Sequence, residues 1–318
     1  MIILYVLLAV VVIYLIFSVI VGLFMGNLIY NVPKSFAPSK QTVMENCIRD
    51  YGTDYESYEK WETEHFTCKN GDYVIPAEYH PVLNARGCAV VAHGFGQNRY
   101  VMVSQAQMLR DLGFSTILFD QRRFGASTAE HGSLGYIEAT DVVALVNWAK
   151  ERCGKETPVI LIGVSMGAMS SMNALKLTND IAAVIEDCGP SSMVKTIGPI
   201  YRSMVPIPNP LLLPCMRLIG KKSGFNMEEN NPIEAVMGSN VPICIIHGDK
   251  DSAVPVVFAK EIYAACKNPN SRLEIFPGRE HAYSLCDRER YRQVLTDFLA
   301  TTVPTNLAPV DKISGVTT

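Results

Sequence analysis

One segment constrains the fold of this chain more than any other: residues 158–168, Pro-Val-Ile-Leu-Ile-Gly-Val-Ser-Met-Gly-Ala. An apolar run typical of a buried strand leads into Gly-x-Ser-x-Gly, and a helical pattern follows. A serine on so sharp a turn stands above the sheet with its hydroxyl exposed, and only glycines at 163 and 167 let strand and helix pass so closely. The pentapeptide alone also fits a glycine-rich turn with an inert serine. In this context we predict that Ser165 is a nucleophile and that the Met166 amide, which opens the helix, faces a developing oxyanion.

Short apolar runs alternate with amphipathic segments along most of the chain. The apolar runs are residues 88–92, 115–119, 159–162, 182–185, 243–246 and 273–276. The helical patterns are residues 101–112, 141–152, 168–177, 256–266 and 288–299. In the second of these helices, apolar residues from Val142 to Ala149 recur at i, i+3, i+4 and i+7 and share one face. Continuous apolar strands that alternate with helices predict an α/β fold whose mainly parallel sheet is covered on both faces.

The head of the chain is apolar. No charged side chain occurs up to Asn31, and the run from Leu4 to Phe24 is almost wholly aliphatic or aromatic. About 20 such residues, each rising ~1.5 Å, match the ~30 Å hydrocarbon core of a bilayer. A cleaved signal peptide is the alternative, but its apolar region is shorter, follows Lys or Arg and precedes an A-x-A site. A buried core helix would carry a polar face over this length. Residues 1–30 are therefore predicted to be a transmembrane anchor.

Positive charge follows the apolar segment and does not precede it. Lys34, Lys40 and Arg49 come after the helix. Because Lys and Arg accumulate on the cytoplasmic side of membrane helices, the domain is predicted to face the cytoplasm. The nine cysteines include no C-x-x-C pair, and several, such as Cys88 and Cys188, lie in apolar runs. A reducing compartment is the simpler interpretation, and a disulfide-bonded protein is the alternative.

Changes in composition divide the chain after the anchor. Residues 31–62 are interpreted as a linker and helical connection, whose default role is to pack the anchor against the domain, and residues 63–302 as the main domain. The stretch between Asp187 and Val241 lacks a strand pattern and is rich in proline, so residues 190–240 are interpreted as an inserted helical cap. Residues 303–318, rich in Pro, Thr and Ser, are predicted to be disordered.

The main domain is expected to open with a β-hairpin. Strand patterns at residues 65–69 and 74–79 flank the pair Asn70-Gly71. Asn-Gly supplies the positive φ angles that a tight hairpin turn requires.

The strand, turn and helix around Ser165 resemble the nucleophile elbow of the α/β-hydrolase superfamily, and the resemblance covers about residues 64–300. It implies an α/β-hydrolase sheet with helices on both faces. His93-Gly94-Phe95-Gly96 resembles the oxyanion loop of that family, so the Phe95 amide is expected to be the second oxyanion donor, while His93 is expected to be structural rather than a base. The loop from Asp120 to Ser127 resembles D-x-R-G-x-G-x-S, with Arg123 where the family has glycine, and is expected to shape the pocket.

The same resemblance assigns a base and an acid. Family members carry serine, acid and histidine in that order, and only His247 and His281 follow Ser165. The segment from His247 to Pro255 resembles the family's H-G-x-x-D-x-x-V-P loop, which makes Asp251 the acid; Asp249 is its rival and Asp187 a more remote third. His281 lies in the loop after the last strand, where the family places its catalytic histidine, although Arg279 and Glu280 replace the usual x-Gly.

The pattern is most similar to bacterial esterases and serine-aminopeptidase-like hydrolases. This resemblance implies cleavage of a carboxylic ester through an acyl-enzyme at Ser165, with no metal or organic cofactor, on a small ester or acyl substrate. Thioester or peptide hydrolysis is the enzymatic alternative, and a membrane-tethered binding protein with an inactive hydrolase fold is the non-enzymatic one. A net charge of −3 without basic, aromatic-rich patches argues against nucleic acid as a partner. The apolar cap run, residues 207–216, is expected to line an acyl cleft, or else to pack on the domain or dip towards the bilayer.

Overall fold

An eight-stranded sheet organises the protein in the computed structural model, which describes residues 1–197 and 208–303. Its strands, in spatial order, are β1 (Glu64–Asn70), β2 (Tyr73–His80), β4 (Phe114–Phe119), β3 (Gly87–Ala92), β5 (Val159–Val164), β6 (Ala183–Asp187), β7 (Ile243–Gly248) and β8 (Arg272–Phe276). β2 pairs antiparallel with β1 and β4, and every other pairing is parallel. The predicted α/β fold with a mainly parallel sheet is confirmed.

Helices cover both faces of this sheet. The helices in the described part of the chain include α1 (Ile2–Tyr30), α2 (Lys40–Tyr51), α3 (Tyr55–Tyr58), α4 (Val103–Asp111), α5 (Glu138–Cys153), α6 (Met166–Asn173), α7 (Asn209–Lys222), α8 (Pro232–Gly238), α9 (Val257–Ala265) and α10 (Arg288–Thr302). Of these, α1 and α7 pack against each other in a separate apolar cluster. One core lies between the sheet and α2, α3, α4 and α10, and the other between the sheet and α5, α6, α8 and α9. The side chains of successive strand residues, such as Ile160 and Leu161, pack into the cores on opposite faces of the sheet. Because both faces are buried, the strands are continuously apolar.

Two strands extend beyond their apolar residues. β6 runs on to Asp187 and β7 to Gly248, and Asp187 is in register with Val164 and Ile246. Side-chain polarity does not prevent this, because the hydrogen bonds of a sheet join main-chain groups. The extensions bring polar residues to the edge of the sheet at which β5 ends in Ser165.

The hairpin turn lies one residue later than predicted. Asn70 and Tyr73 form the last pair of the β1–β2 ladder, so the two turn residues are Gly71 and Asp72. Gly71 has φ +59° and provides the left-handed conformation that the turn needs. The Asn70 side chain instead donates hydrogen bonds to Thr140 and Asp141 at the start of α5, which holds Asn70 in the strand.

Helix α1 divides into an exposed part and a part packed on the protein. Residues 1–17 are exposed, whereas most of the last turns, from Gly22 to Tyr30, are buried or half-buried. These turns run parallel to α7: a Cβ on Gly22 would lie 2.7 Å from the Cβ of Cys215, and one on Gly26 would lie 3.1 Å from that of Ile219. Only residues without a large side chain permit this approach. Over its 29 residues, α1 is long and apolar enough to span a membrane.

The predicted cap segment, residues 190–240, contains helices α7 and α8 in the part that the structure describes. Ile207, at the start of the apolar cap run, lies outside the described residues. So does the predicted disordered tail from residue 304 onward.

Candidate active site

Ser165 occupies a strained turn between β5 and α6. Its φ is +55° and its ψ is −111°, a backbone conformation that is rare for a residue with a side chain. The Ser165 N–H donates to the Asp187 carbonyl at 2.8 Å, which ties the turn to the neighbouring strand. A Cβ on Gly163 would overlap the Gly167 carbonyl, and one on Gly167 would overlap the Ala92 carbonyl. The two glycines that the sequence pattern requires are therefore enforced by backbone packing.

The structure brings together the three residues predicted as a triad. His281 Nε2 lies 3.0 Å from Ser165 Oγ, and His281 Nδ1 lies 2.7 Å from Asp251 Oδ2. With the proton on Nδ1 donated to the carboxylate, Nε2 is free to accept the serine proton. The Asp251 side chain is fully buried, whereas 27% of the His281 side chain is exposed. The His281 imidazole is thus accessible from the solvent, and the Asp251 carboxylate is not.

Asp251 is held as a carboxylate by donors around it. It accepts from the N–H groups of Ala253 at 3.0 Å and Val254 at 2.7 Å, and His247 Nε2 lies 3.3 Å away. Burial alone would raise the pKa of Asp251, but the hydrogen bonds from His247 and His281 lower it to about 2. A charged carboxylate at this position stabilises the imidazolium that forms when His281 takes up a proton.

The rival carboxylates have other surroundings. Asp249 accepts from the Gly278 N–H at 2.6 Å and so braces the loop that carries His281. Asp187 is buried at the end of β6, and burial raises its pKa to about 6. Among the described residues, neither carboxylate is hydrogen-bonded to His281. His247 is placed beside Asp251, with Nε2 2.8 Å from the Val254 carbonyl.

The predicted oxyanion donors lie on two segments that meet at Ser165. Met166 is the first residue of α6, and Phe95 follows Gly94, where an added Cβ would lie 3.6 Å from that of Ser165. His93 fixes this loop: its Nε2 accepts from the Gln121 N–H at 3.0 Å, and its Nδ1 donates to the Gly94 carbonyl at 2.8 Å. Burial lowers the pKa of His93, so its contacts are those of a neutral structural histidine.

Arg123, which replaces a glycine of the family loop, connects the site to the end of α1. Its backbone has φ +71°, the conformation for which glycine is favoured. Its guanidinium donates from Nη2 to the Val32 carbonyl at 2.6 Å and to the Asn31 carbonyl at 3.3 Å. The Gly132 N–H donates to the Tyr30 carbonyl at 2.8 Å. Helix α1 therefore ends in contact with the loop that carries Arg123, and the sequence indicated this role of Arg123 only as a departure from the family pattern.

A cavity of about 310 Å³ opens above Ser165 and His281. One side is formed by the oxyanion loop and the residues that lead into α4. The other side is formed by α2, through Val43, Asn46, Cys47, Asp50 and Tyr51. No residue of the described part of the cap lines this cavity, contrary to the expectation that residues 207–216 face the nucleophile. A helical connection was predicted in residues 31–62, but its place beside the cavity was not, because the polar sequence of α2 carries no motif.

Comparisons with known proteins agree with this architecture. The Pyrococcus furiosus esterase Pf2001 superposes with a TM-score of 0.65 at 21% identity, covering 78% of this chain and 94% of the esterase. The Pyrococcus horikoshii acylaminoacyl peptidase superposes with a TM-score of 0.60 at 17% identity, covering 79% of this chain and 44% of the peptidase. In sequence, the uncharacterized protein YqkD of Bacillus subtilis is 24% identical over 269 residues, covering 82% of this chain and 88% of YqkD.

The fold of this chain is the α/β-hydrolase fold. Residues 84–229 match the family model of the serine aminopeptidases of family S33. The predicted resemblance to this branch of hydrolases is confirmed.

Proposed function

We propose that this protein is a serine hydrolase that cleaves carboxylic esters, with Ser165 as nucleophile, His281 as general base and Asp251 as orienting acid. The observation that carries the proposal is the continuous hydrogen-bonded series from Asp251 through His281 to Ser165, at 2.7 and 3.0 Å. A serine hydroxyl is a weak nucleophile until such a base removes its proton.

The reaction proceeds in two halves. His281 takes the Ser165 proton as Oγ attacks the ester carbonyl, and the amides of Phe95 and Met166 hold the oxyanion; each donor of this kind stabilises the transition state by ~3 kcal/mol. His281 then gives its proton to the departing alkoxide, which leaves Ser165 acylated. A water molecule, activated by His281, attacks the acyl-enzyme and releases the carboxylic acid.

Cavity size favours a small ester over a peptide. At about 310 Å³, the cavity is at the lower end of the range for small-molecule sites. The neighbours named as an esterase and as an acylaminoacyl peptidase make peptide hydrolysis the alternative, with thioesters as a third candidate.

A substrate panel tests this proposal. The full chain in detergent is assayed with p-nitrophenyl acetate and butyrate, an acyl thioester and an aminoacyl p-nitroanilide. We expect the highest kcat/KM with the p-nitrophenyl esters and loss of all turnover in Ser165→Ala, whose folding is checked by circular dichroism. Turnover only of the anilide would assign a peptidase. No turnover of any substrate, in folded protein that binds acyl ligands, would favour the binding-protein alternative.

We also propose that α1 anchors the protein in a membrane and is retained in the mature chain. The exposed, apolar residues 1–17 supply a lipid-facing surface, and the packed turns argue against removal as a signal peptide. Met25, Ile29 and Tyr30 are buried, and each apolar side chain so buried contributes ~1.5–3 kcal/mol. Since Gly22 lies within the predicted span and packs beside Cys215, the adjacent part of α7 dips into the bilayer in this arrangement.

A further inference from the structure

We infer that helix α2, in the segment that connects the anchor to the domain, is the wall of the substrate site that sets which acyl groups reach Ser165. The inference rests on the proposed function and names the substrate class: esters with short alkyl acyl groups. It assigns a role to a segment for which the sequence suggested only packing.

Helix α2 is fixed firmly enough to act as a wall. Val43 and Cys47 are 1% and 2% exposed, and they belong to the core that α4 and α10 share. The helix begins at a Ser39 cap, whose hydroxyl accepts from the Thr42 N–H, and it ends at Gly52 in the left-handed conformation. Caps at both ends and a buried face give the helix one position over the cavity.

The helix also contacts both catalytic loops. The Tyr51 hydroxyl donates to the carbonyl of Ala282, the residue after His281, at 3.4 Å. Phe36, just before the helix, has its ring centroid 5.6 Å from that of Phe95 in the oxyanion loop. A substrate group at Ser165 therefore lies between two loops that are contacted by α2 and by the residues just before it.

The lining of the cavity indicates the chemistry of the group that fits. Facing α2 are the apolar side chains of Val101 and Met102 together with Phe95, which suit a short alkyl chain. Asp50 adds a carboxylate to the wall, and its hydrogen bond from Arg49 lowers its pKa, which keeps it ionised. Both oxygens of that carboxylate accept from the Arg49 guanidinium, at 2.7 and 2.9 Å, so the selectivity of the wall is assigned to its apolar lining and its width.

Three variants at two positions of the same helix test the inference. Asn46 lines the cavity and is half-buried, so Asn46→Trp fills the space without disturbing the core. Ile48 is on α2 too but is 52% exposed and outside the cavity, which makes Ile48→Trp the matched control. Each variant is assayed with p-nitrophenyl acetate, butyrate and octanoate, and Ser165 phosphonylation is timed with methyl and octyl fluorophosphonates.

We expect Asn46→Trp to lower kcat/KM for butyrate and octanoate at least tenfold relative to acetate, and to slow the octyl phosphonate by a similar factor. Asn46→Ala is expected to shift the preference towards longer chains, and Ile48→Trp to match the wild type. Identical chain-length profiles in all three variants would overturn the inference. Phosphonylation separates the two proposals. If the wild-type protein is phosphonylated at Ser165 but hydrolyses no ester, the ester assignment is refuted. The rates with methyl and octyl fluorophosphonates still test whether α2 limits the size of the group that reaches Ser165.

Discussion

Asp249 and Asp251 are two residues apart, yet their surroundings give them different roles. Asp251 is buried and meets His281, whereas Asp249 holds the backbone of Gly278 in the histidine loop. Position in the loop, and not residue type, decides which of them can orient an imidazole. The family pattern distinguishes the two because the acid must stand at a fixed distance from the end of β7.

Replacement of each carboxylate by its amide tests this division of roles. We expect Asp251→Asn to lower kcat by up to ~10⁴-fold, as amide replacement does in a related triad, because it no longer fixes the tautomer and charge of the histidine. Asp249→Asn is expected to cost less than tenfold, since an amide oxygen still accepts from Gly278. Steady-state kinetics on p-nitrophenyl acetate give both values. The opposite ranking would assign the acid to Asp249.

Glu186, beside Asp187 at the end of β6, predicts a pH dependence of stability. Burial raises the pKa of Glu186 to about 8, and the charge of Asp187 adds to this, although His247 and the Gly189 N–H oppose it. The carboxyl is protonated in the folded protein at pH values where the unfolded chain has lost that proton. The contribution of Glu186 to stability therefore falls as the pH rises from about 4.5 to about 8.

Glu186→Gln removes that dependence and keeps an oxygen that accepts from Gly189. The melting temperatures of variant and wild type are expected to be similar near pH 5 and to separate, in favour of the variant, as the pH rises to 8. Thermal unfolding of the detergent-solubilised chain across this range measures the difference. A difference that does not grow with pH would show that Glu186 is not a source of the pH dependence.

At the scale of elements, the strands were predictable and some of the turns were not. The apolar runs located β3 to β8 to within about two residues, because strands buried on both faces must be continuously apolar. The hairpin turn lies one residue later than predicted because the Asn70 side chain is hydrogen-bonded to residues of α5. A local sequence pattern contains no information about such a distant contact. The roles of α2 and Arg123 depend on contacts between distant segments, so composition and spacing did not reveal them, whereas Ser165, Asp251 and His281 sit in local motifs.

The link between Arg123 and the end of α1 yields a prediction at this scale. Arg123→Gly relieves the strain of a left-handed backbone, which stabilises the folded protein by ~1–2 kcal/mol. It also removes hydrogen bonds from the charged guanidinium to two carbonyls, and the loss of each destabilises the protein by ~1.5–3 kcal/mol. We therefore expect a net loss of stability of about 1–5 kcal/mol, seen as a lower melting temperature and faster proteolysis between residues 31 and 39. Lys155→Ala, at an exposed lysine, is the control. A variant as stable as the wild type would show that the contact does not hold the anchor.

At the scale of the whole molecule, α1, the segment that follows it and the domain that carries Ser165 form one packed unit. The last turns of α1 contact α7 and the loop around Phe124, and the connection after α1 returns over Ser165 as α2. If α1 spans a membrane as proposed, this packing holds Ser165 at a fixed distance from the bilayer, unlike a domain on a flexible tether. The same connecting segment lines the cavity above Ser165.

Membrane topology can be tested on this unit directly. Lys34, Lys40 and Arg49 follow the proposed span, so we expect the domain to face the cytoplasm. Protease added to intact spheroplasts of a bacterial expression host should leave the domain whole, and lysis should expose it. Digestion of the domain before lysis would show that it faces the opposite side of the membrane. Recovery of a shortened chain in the soluble fraction would show that α1 is cleaved and is not a membrane anchor.

The measurement that tests the central claim most directly is covalent labelling of the nucleophile. The full chain is treated with a fluorophosphonate, digested, and mapped by mass spectrometry, with His281→Ala as the variant that retains the serine but lacks its base. We predict a single phosphonyl adduct on Ser165 in the wild type and little or none in His281→Ala, with the fold of both confirmed by circular dichroism. An unmodified Ser165 in folded wild-type protein, or an adduct on a different serine, would contradict the account.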